Sequence, residues 1–237
     1  DLRRFEAPPA GQGGGQAQTQ GALSLSLDRL IVSDGIALTG FRGDLSQRGG
    51  LNGTFRASVN GAAPVNGVVV PSRHGTAVRL QAGDAGAALR AAGIFASASG
   101  GRLDLWLTPR AQKGVYDGRA EMGAFRVRNA SVLAELLSAI SVVGLLEQLN
   151  GDGIVFNQAE ADFVITPQAI EITRGSAMGA SLGVSLAGLY GTQTKRLAMQ
   201  GVVSPIYLVN GIGALLTRRG EGLFGFNYAL GGTADAL

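Results

Sequence analysis

The residues able to do chemistry are few and scattered. The single histidine, His74, sits in the turn-like segment "PSRHGT", with no second His or acid spaced to complete a zinc site. The acids Asp104, Asp117, Glu121, Asp152, Glu160 and Asp162 never form the local pair that general acid–base or metal work calls for. Cysteine is absent, which excludes thiolate catalysis, disulfides and Cys-based metal sites. Residues 179–183, "GASLG", carry the letters Gly-x-Ser-x-Gly. The residues after them alternate as a strand does, where a nucleophile elbow needs a helix. Gly211-x-Gly213 lacks the third glycine of a phosphate loop, its place being taken by Leu216, and it lies inside a helical pattern. The expectation is a protein without catalytic residues, metal or cofactor.

The elements around these residues are strands. Hydrophobic residues make up 46% of the 237 positions and charged residues 16%, enough apolar material for a sizeable core. Glycine, 38 of 237, has no Gly-X-Y period and falls within alternating segments, as expected of many strands with bends and close backbone approaches. Residues 1–21, with "GQGGGQAQTQG", read as a flexible Gly/Gln-rich segment, and 22–237 as one domain. From "ALSLSLDRLIV" onward, Leu23, Leu25 and Leu27 face one way and Ser24, Ser26 and Asp28 the other. Further short strands come after it, with turn signals about every 8–12 residues, Asn60-Gly61 and Asn66-Gly67 among them. "GDAGAALRAAGIF" breaks the period as a short helix, with Asp84 as its N-cap and Gly93 at its stop.

Residues 131–149, "SVLAELLSAISVVGLLEQL", read as one long helix capped by Asn129 or Ser131 and ended at Asn150-Gly151. Leu133, Leu136, Leu137, Ile140 and Gly144 line one stripe, widened by Val132, Ala139, Val143 and Leu146 past an ordinary amphipathic face. Ser204-Pro205 reads as the start of a second helix in which Ile206, Val209, Ile212 and Leu216 keep helical spacing and Arg218-Arg219 meet the negative end of the dipole. The long helix should be heavily buried by protein or lie against a large apolar surface, and Leu136, Ile140, Val143, Ile212 and Leu216 of the two helices are candidates for lying near a membrane. No run of about 18 apolar residues occurs. The net charge of +3 is small and its basic residues are dispersed, which argues against nucleic acid.

The order of these blocks resembles the C-terminal region of the AsmA-like bacterial envelope proteins, the YhdP- and TamB-type group. The resemblance rests on Val127-Arg128-Asn129-Ala130 before the long helix, on residues 149–156, "LNGDGIVF", and on the glycine-spaced strand at 179–188. It rests further on "GVVSPIYLVN" at 201–210 and "GEGLFGFNYALG" at 220–231. It implies a mainly β fold with a few packed helices, an elongated, curled antiparallel sheet forming an apolar groove. It also implies a non-enzymatic module of a periplasm-spanning bridge that carries phospholipids from the inner to the outer membrane. The whole protein would be anchored in the inner membrane of a Gram-negative bacterium. The partners would be phospholipid acyl chains, the membranes and other envelope proteins. From alternation, the groove candidates are Leu103, Leu105, Leu107, Phe163, Ile165, Leu182, Val184 and Leu186. The alternative is a scaffold for outer-membrane protein assembly that recruits clients on an exposed strand edge. An outer-membrane barrel is disfavoured by one Trp, four Tyr and a long apolar helix mid-chain.

Overall fold

The computed structural model describes residues 22–206 and 225–233. They are mainly β, a large antiparallel sheet that is not closed into a barrel. Twelve strands succeed one another across it: β1 (Ala22–Ser33), β2 (Ile36–Ser46), β3 (Asn52–Val59), β4 (Ala63–Ser72), β5 (Gly75–Ala82), β7 (Leu103–Pro109), β8 (Tyr116–Met122), β10 (Ile154–Ile165), β11 (Ala169–Gly179), β12 (Leu182–Gly191), β13 (Arg196–Pro205) and β14 (Phe226–Thr233). Two short strands lie off this path: β6 (Ala98–Ser99) pairs with β9 (Phe125–Val127). β8 and β9 both run along β10, so the chain there is one strand interrupted at Gly123 and Ala124.

Local chemistry sets the connections. At Asn60-Gly61 both residues have positive φ, 46° and 77°, and Ala62 N–H donates to Val59 C=O at 2.9 Å, the geometry of a type I′ hairpin turn. The Asn60 side chain also fastens three segments. Its Oδ1 accepts from Ala37 N–H (2.8 Å), and its Nδ2 donates to the carbonyls of Gly35 and Ala91 (2.7 Å each). The other Asn-Gly pair is not a turn. Asn66 and Gly67 lie inside β4, where Gly67 faces Phe55 of β3, and a Cβ on Gly67 would come within 2.0 Å of the Phe55 ring. The glycine is required by an aromatic ring lying across the strand, not by backbone reversal.

α1 (Ala85–Ala91) is capped by Asp84, whose side chain accepts from Ala87 N–H, and stops at Gly93, whose φ is +68°. The expected single helix over 131–149 is two: α2 (Ser131–Ala139) and α3 (Val143–Asn150). Ser141 sits at φ 57°, Ser141 N–H donates to Ser138 C=O, and Val142 N–H donates to Leu137 C=O. This is a Schellman closure with serine where glycine is usual. It is held by the apolar pair Leu137 and Val142, both in the same core. Neither Asn129 nor Ser131 caps α2. Ala130 occupies the N-cap without a side-chain bond, and Asn129 takes φ 50° instead. Gly144, assigned to the buried stripe, is exposed. Ser204 and Pro205 do not begin a helix but end β13, paired with Gly183 and Leu182. Residues 207–224, with Ile212, Leu216 and the Arg218-Arg219 pair, lie outside the described residues.

Two cores sit on the sheet. One joins β2–β5 to α1 through Phe41, Phe55, Ala57, Val65 and Ala88, with the Phe41 and Phe55 rings stacked at 5.0 Å. The other joins α2, α3, β6, β9 and the starts of β10 and β12 through Leu137, Leu145, Leu149, Ile154, Phe156 and Leu182. In both cores the helices meet the same strand ends: the ends of β5 and β8 and the beginnings of β4, β10 and β12.

Candidate functional site: an apolar sheet face

Residues directly opposite in an antiparallel pair share a face of the sheet. Tracing partners from strand to strand therefore reads that face row by row. One row runs Leu25, Gly43, Phe55, Gly67, Leu80, Leu105, Ala120, Ala161, Gly175 and Leu186, from β1 to β12 without a polar side chain. The next row, away from the helices, runs Leu23, Leu45, Gly53, Val69, Val78, Leu107, Gly118, Phe163, Ile172, Gly188, Met199 and Leu230 and crosses all twelve strands. At about 4.8 Å per strand the face is roughly 50 Å wide.

The eight candidate positions all fall on this face, but in two environments. Leu182 is fully buried under α2 and α3, while Val184 and Leu103 pack against the two cores. Leu105, Leu107, Phe163, Ile165 and Leu186 are half-buried and belong to neither core. Ile170 and Ile172 of β11 share that setting and were missed, although the alternation in "AIEIT" marks them. Phe163 lies over Gly118 as Phe55 lies over Gly67: a Cβ at Gly118 would meet its ring at 2.1 Å. The helix candidates divide likewise. Leu136 and Ile140 are half-buried, Ile140 against the second core, whereas Val143 is 63% exposed.

The opposite face is a ladder of charge. Arg79 on β5 binds Asp104 on β7 through two nitrogens, the Nε–Oδ1 contact being 2.8 Å, and its guanidinium lies 5.1 Å from the Trp106 ring centre. Arg119 reaches Glu121 (2.9 Å), Glu160 (3.7 Å) and Asp162 (3.8 Å), and Asp162 also pairs with Arg174 at 2.6 Å. Hydrogen bonding from Arg79 holds the Asp104 carboxyl below the usual carboxylate range, and Arg110 does the same to Asp117. Burial raises the Tyr228 hydroxyl, which donates to Ser185 C=O at 2.8 Å. These solvent-exposed ion pairs add little to stability and keep their part of the face wet. A shallow depression of about 340 Å³ between Trp106, Arg110, Asp117, Arg119 and Thr173 opens on this charged side.

From β5 to β11 the sheet therefore carries ion pairs on one face and apolar side chains on the other. Among the described residues no three His, Asp or Glu gather as a metal site, and no helix is long and apolar enough to cross a membrane. Compared with protein-family models, curated proteins and solved structures, the chain matches none.

Proposed function

We propose that this chain is a non-enzymatic lipid-transfer module, whose apolar sheet face curls into a groove that carries phospholipid acyl chains across the periplasm between inner and outer membranes. The observation that carries the reading is the uninterrupted apolar row across all twelve strands, backed by a charged row on the other side. Acyl chains need continuous apolar contact while head groups need water, and a face open along one side serves both without chemistry. The block order shared with AsmA-like envelope proteins supports the same reading and the same place in the cell envelope.

The test is lipid content. Purified from bacterial membranes, the chain is expected to carry phospholipid detectable by mass spectrometry. Leu105→Asp combined with Phe163→Asp is expected to remove it while circular dichroism stays unchanged, and Thr108→Asp on the charged face is expected to leave it in place. A wild-type chain without phospholipid, or a double variant that keeps its lipid, defeats the proposal. The unpaired outer edges of β1 and β14 among the described residues favour a second reading, a scaffold that receives client strands by β-augmentation. In-cell photocrosslinking from those edges separates the two, since protein adducts there with none to lipid from the apolar face would favour the scaffold.

A further inference from the structure

The α1 stop presents an apolar tip that no core uses. Gly93 N–H donates to Arg90 C=O and Ile94 N–H to Leu89 C=O, closing α1. In such a closure the residue after the glycine ordinarily packs back on the helix. Here Ile94 is 65% exposed and Phe95 37%. The tip is pinned on both sides rather than loose. Phe95 N–H also reaches Leu89 C=O, and two residues on, Ser97 accepts from Arg128 N–H at 3.0 Å and donates its hydroxyl to Asn129 C=O. Holding two large apolar side chains in water on a fixed turn costs solvation that packing elsewhere does not return.

Three arginines lie on α1 and on the β9 segment that binds Ser97. Arg90 bonds the Ala98 carbonyl, and Arg126 and Arg128 both donate to the Asp152 carbonyl, at 2.7 and 2.8 Å. None of the three has a carboxylate partner within 4 Å among the described residues. Each guanidinium keeps donors free, in the fork geometry that suits a phosphate oxygen. The acids of the neighbouring turns are Asp34, beside the Gly35 carbonyl that Asn60 links to Ala91, and Asp152. Three arginines outnumber them.

We propose that residues 93–96 form a wedge that enters the interfacial layer of an anionic lipid bilayer, Ile94 and Phe95 reaching the acyl boundary while Arg90, Arg126 and Arg128 meet lipid phosphates. The wedge extends the lipid-carrying reading by fixing the end at which the module meets a bilayer, yet it fails or succeeds separately. Trp106, the only tryptophan, makes the test clean. The full 237-residue chain carrying Trp106→Phe and Ile94→Trp is mixed with vesicles of equimolar phosphatidylglycerol and phosphatidylcholine, and with phosphatidylcholine alone. The introduced indole is expected to shift to the blue and to be quenched by brominated acyl chains with the anionic vesicles. Replacing Arg90, Arg126 and Arg128 by Gln is expected to weaken binding by about a hundredfold, at about 1 kcal/mol per basic residue near the surface. Phe95→Ser is expected to weaken it with the fold intact by circular dichroism. The Leu105→Asp, Phe163→Asp chain is expected to dock as before, whatever its lipid content. No shift with either vesicle, a shift indifferent to the three arginines and to Phe95, or loss of docking in the Leu105→Asp, Phe163→Asp chain overturns the proposal.

Discussion

Gly67 has no side chain because the Phe55 ring fills the space one would take. Gly67→Ala would drive a methyl group into that ring, and a destabilisation of about 1–3 kcal/mol is expected by urea denaturation. Phe55→Leu empties the same space, so the glycine substitution should cost far less in that background. Equal costs in the two backgrounds would show that the ring is not the reason for the glycine. The same relation between Phe163 and Gly118 lays a ring flat on the open part of the face. At this scale the alternating leucines were legible in the sequence, since strand geometry turns period two directly into a face. The glycines were not. Asn60-Gly61 and Asn66-Gly67 are the same two letters, yet one reverses the chain and the other lies under an aromatic ring. What separates them is contact across strands: Asn60 has the carbonyls of Gly35 and Ala91 within reach, and Gly67 has Phe55.

The break between α2 and α3 shows how an element departs from its pattern. Residues 131–149 hold no proline, and the glycine present, Gly144, is not where the helix stops. Helical spacing alone therefore reads straight through. The chain turns at Ser141 because doing so seats both Leu137 and Val142 in the core, and burying those two outweighs the strain of a serine at positive φ. Ser141→Gly should relieve that strain and stabilise the protein by about 1 kcal/mol in thermal or urea unfolding. Destabilisation instead would mean that the serine side chain contributes more than its backbone costs. Ser204-Pro205 misleads in the same manner. A serine followed by proline starts helices when nothing else binds the segment, but here the neighbouring strand β12 supplies partners down to Leu182. The positions of the strands along the chain and the short helix α1 were readable from local signals. Helix packing was not, because it depends on which apolar face finds a partner.

Across the whole molecule, stability is placed unevenly. The two cores hold one end of the face and β2–β5, while β1 and β14 have one neighbour each among the described residues. Hydrogen exchange should be slowest for amides of β3, β4 and the first half of β10, and faster by orders of magnitude in β1 and β14. Uniform protection from β1 to β14 would contradict this division. That the molecule is mainly β was plain from alternation and glycine content. That a single apolar face runs across every strand was not, since register is a relation between strands and no one segment contains it. The path of the sheet has a further consequence. Apart from the excursions through β6 and β9, each strand pairs only with the strands next to it along the chain. Such a meander is close to one-dimensional, like a repeat protein, with each hairpin answering only to its neighbours. Duplicating or deleting one hairpin would return the chain to the same edge in the same direction, with its apolar residues still in phase. The face would lengthen or shorten by about 10 Å, two strand spacings. A fold of this kind can change its span by the copying of short stretches of DNA, with little need to redesign a core at each step.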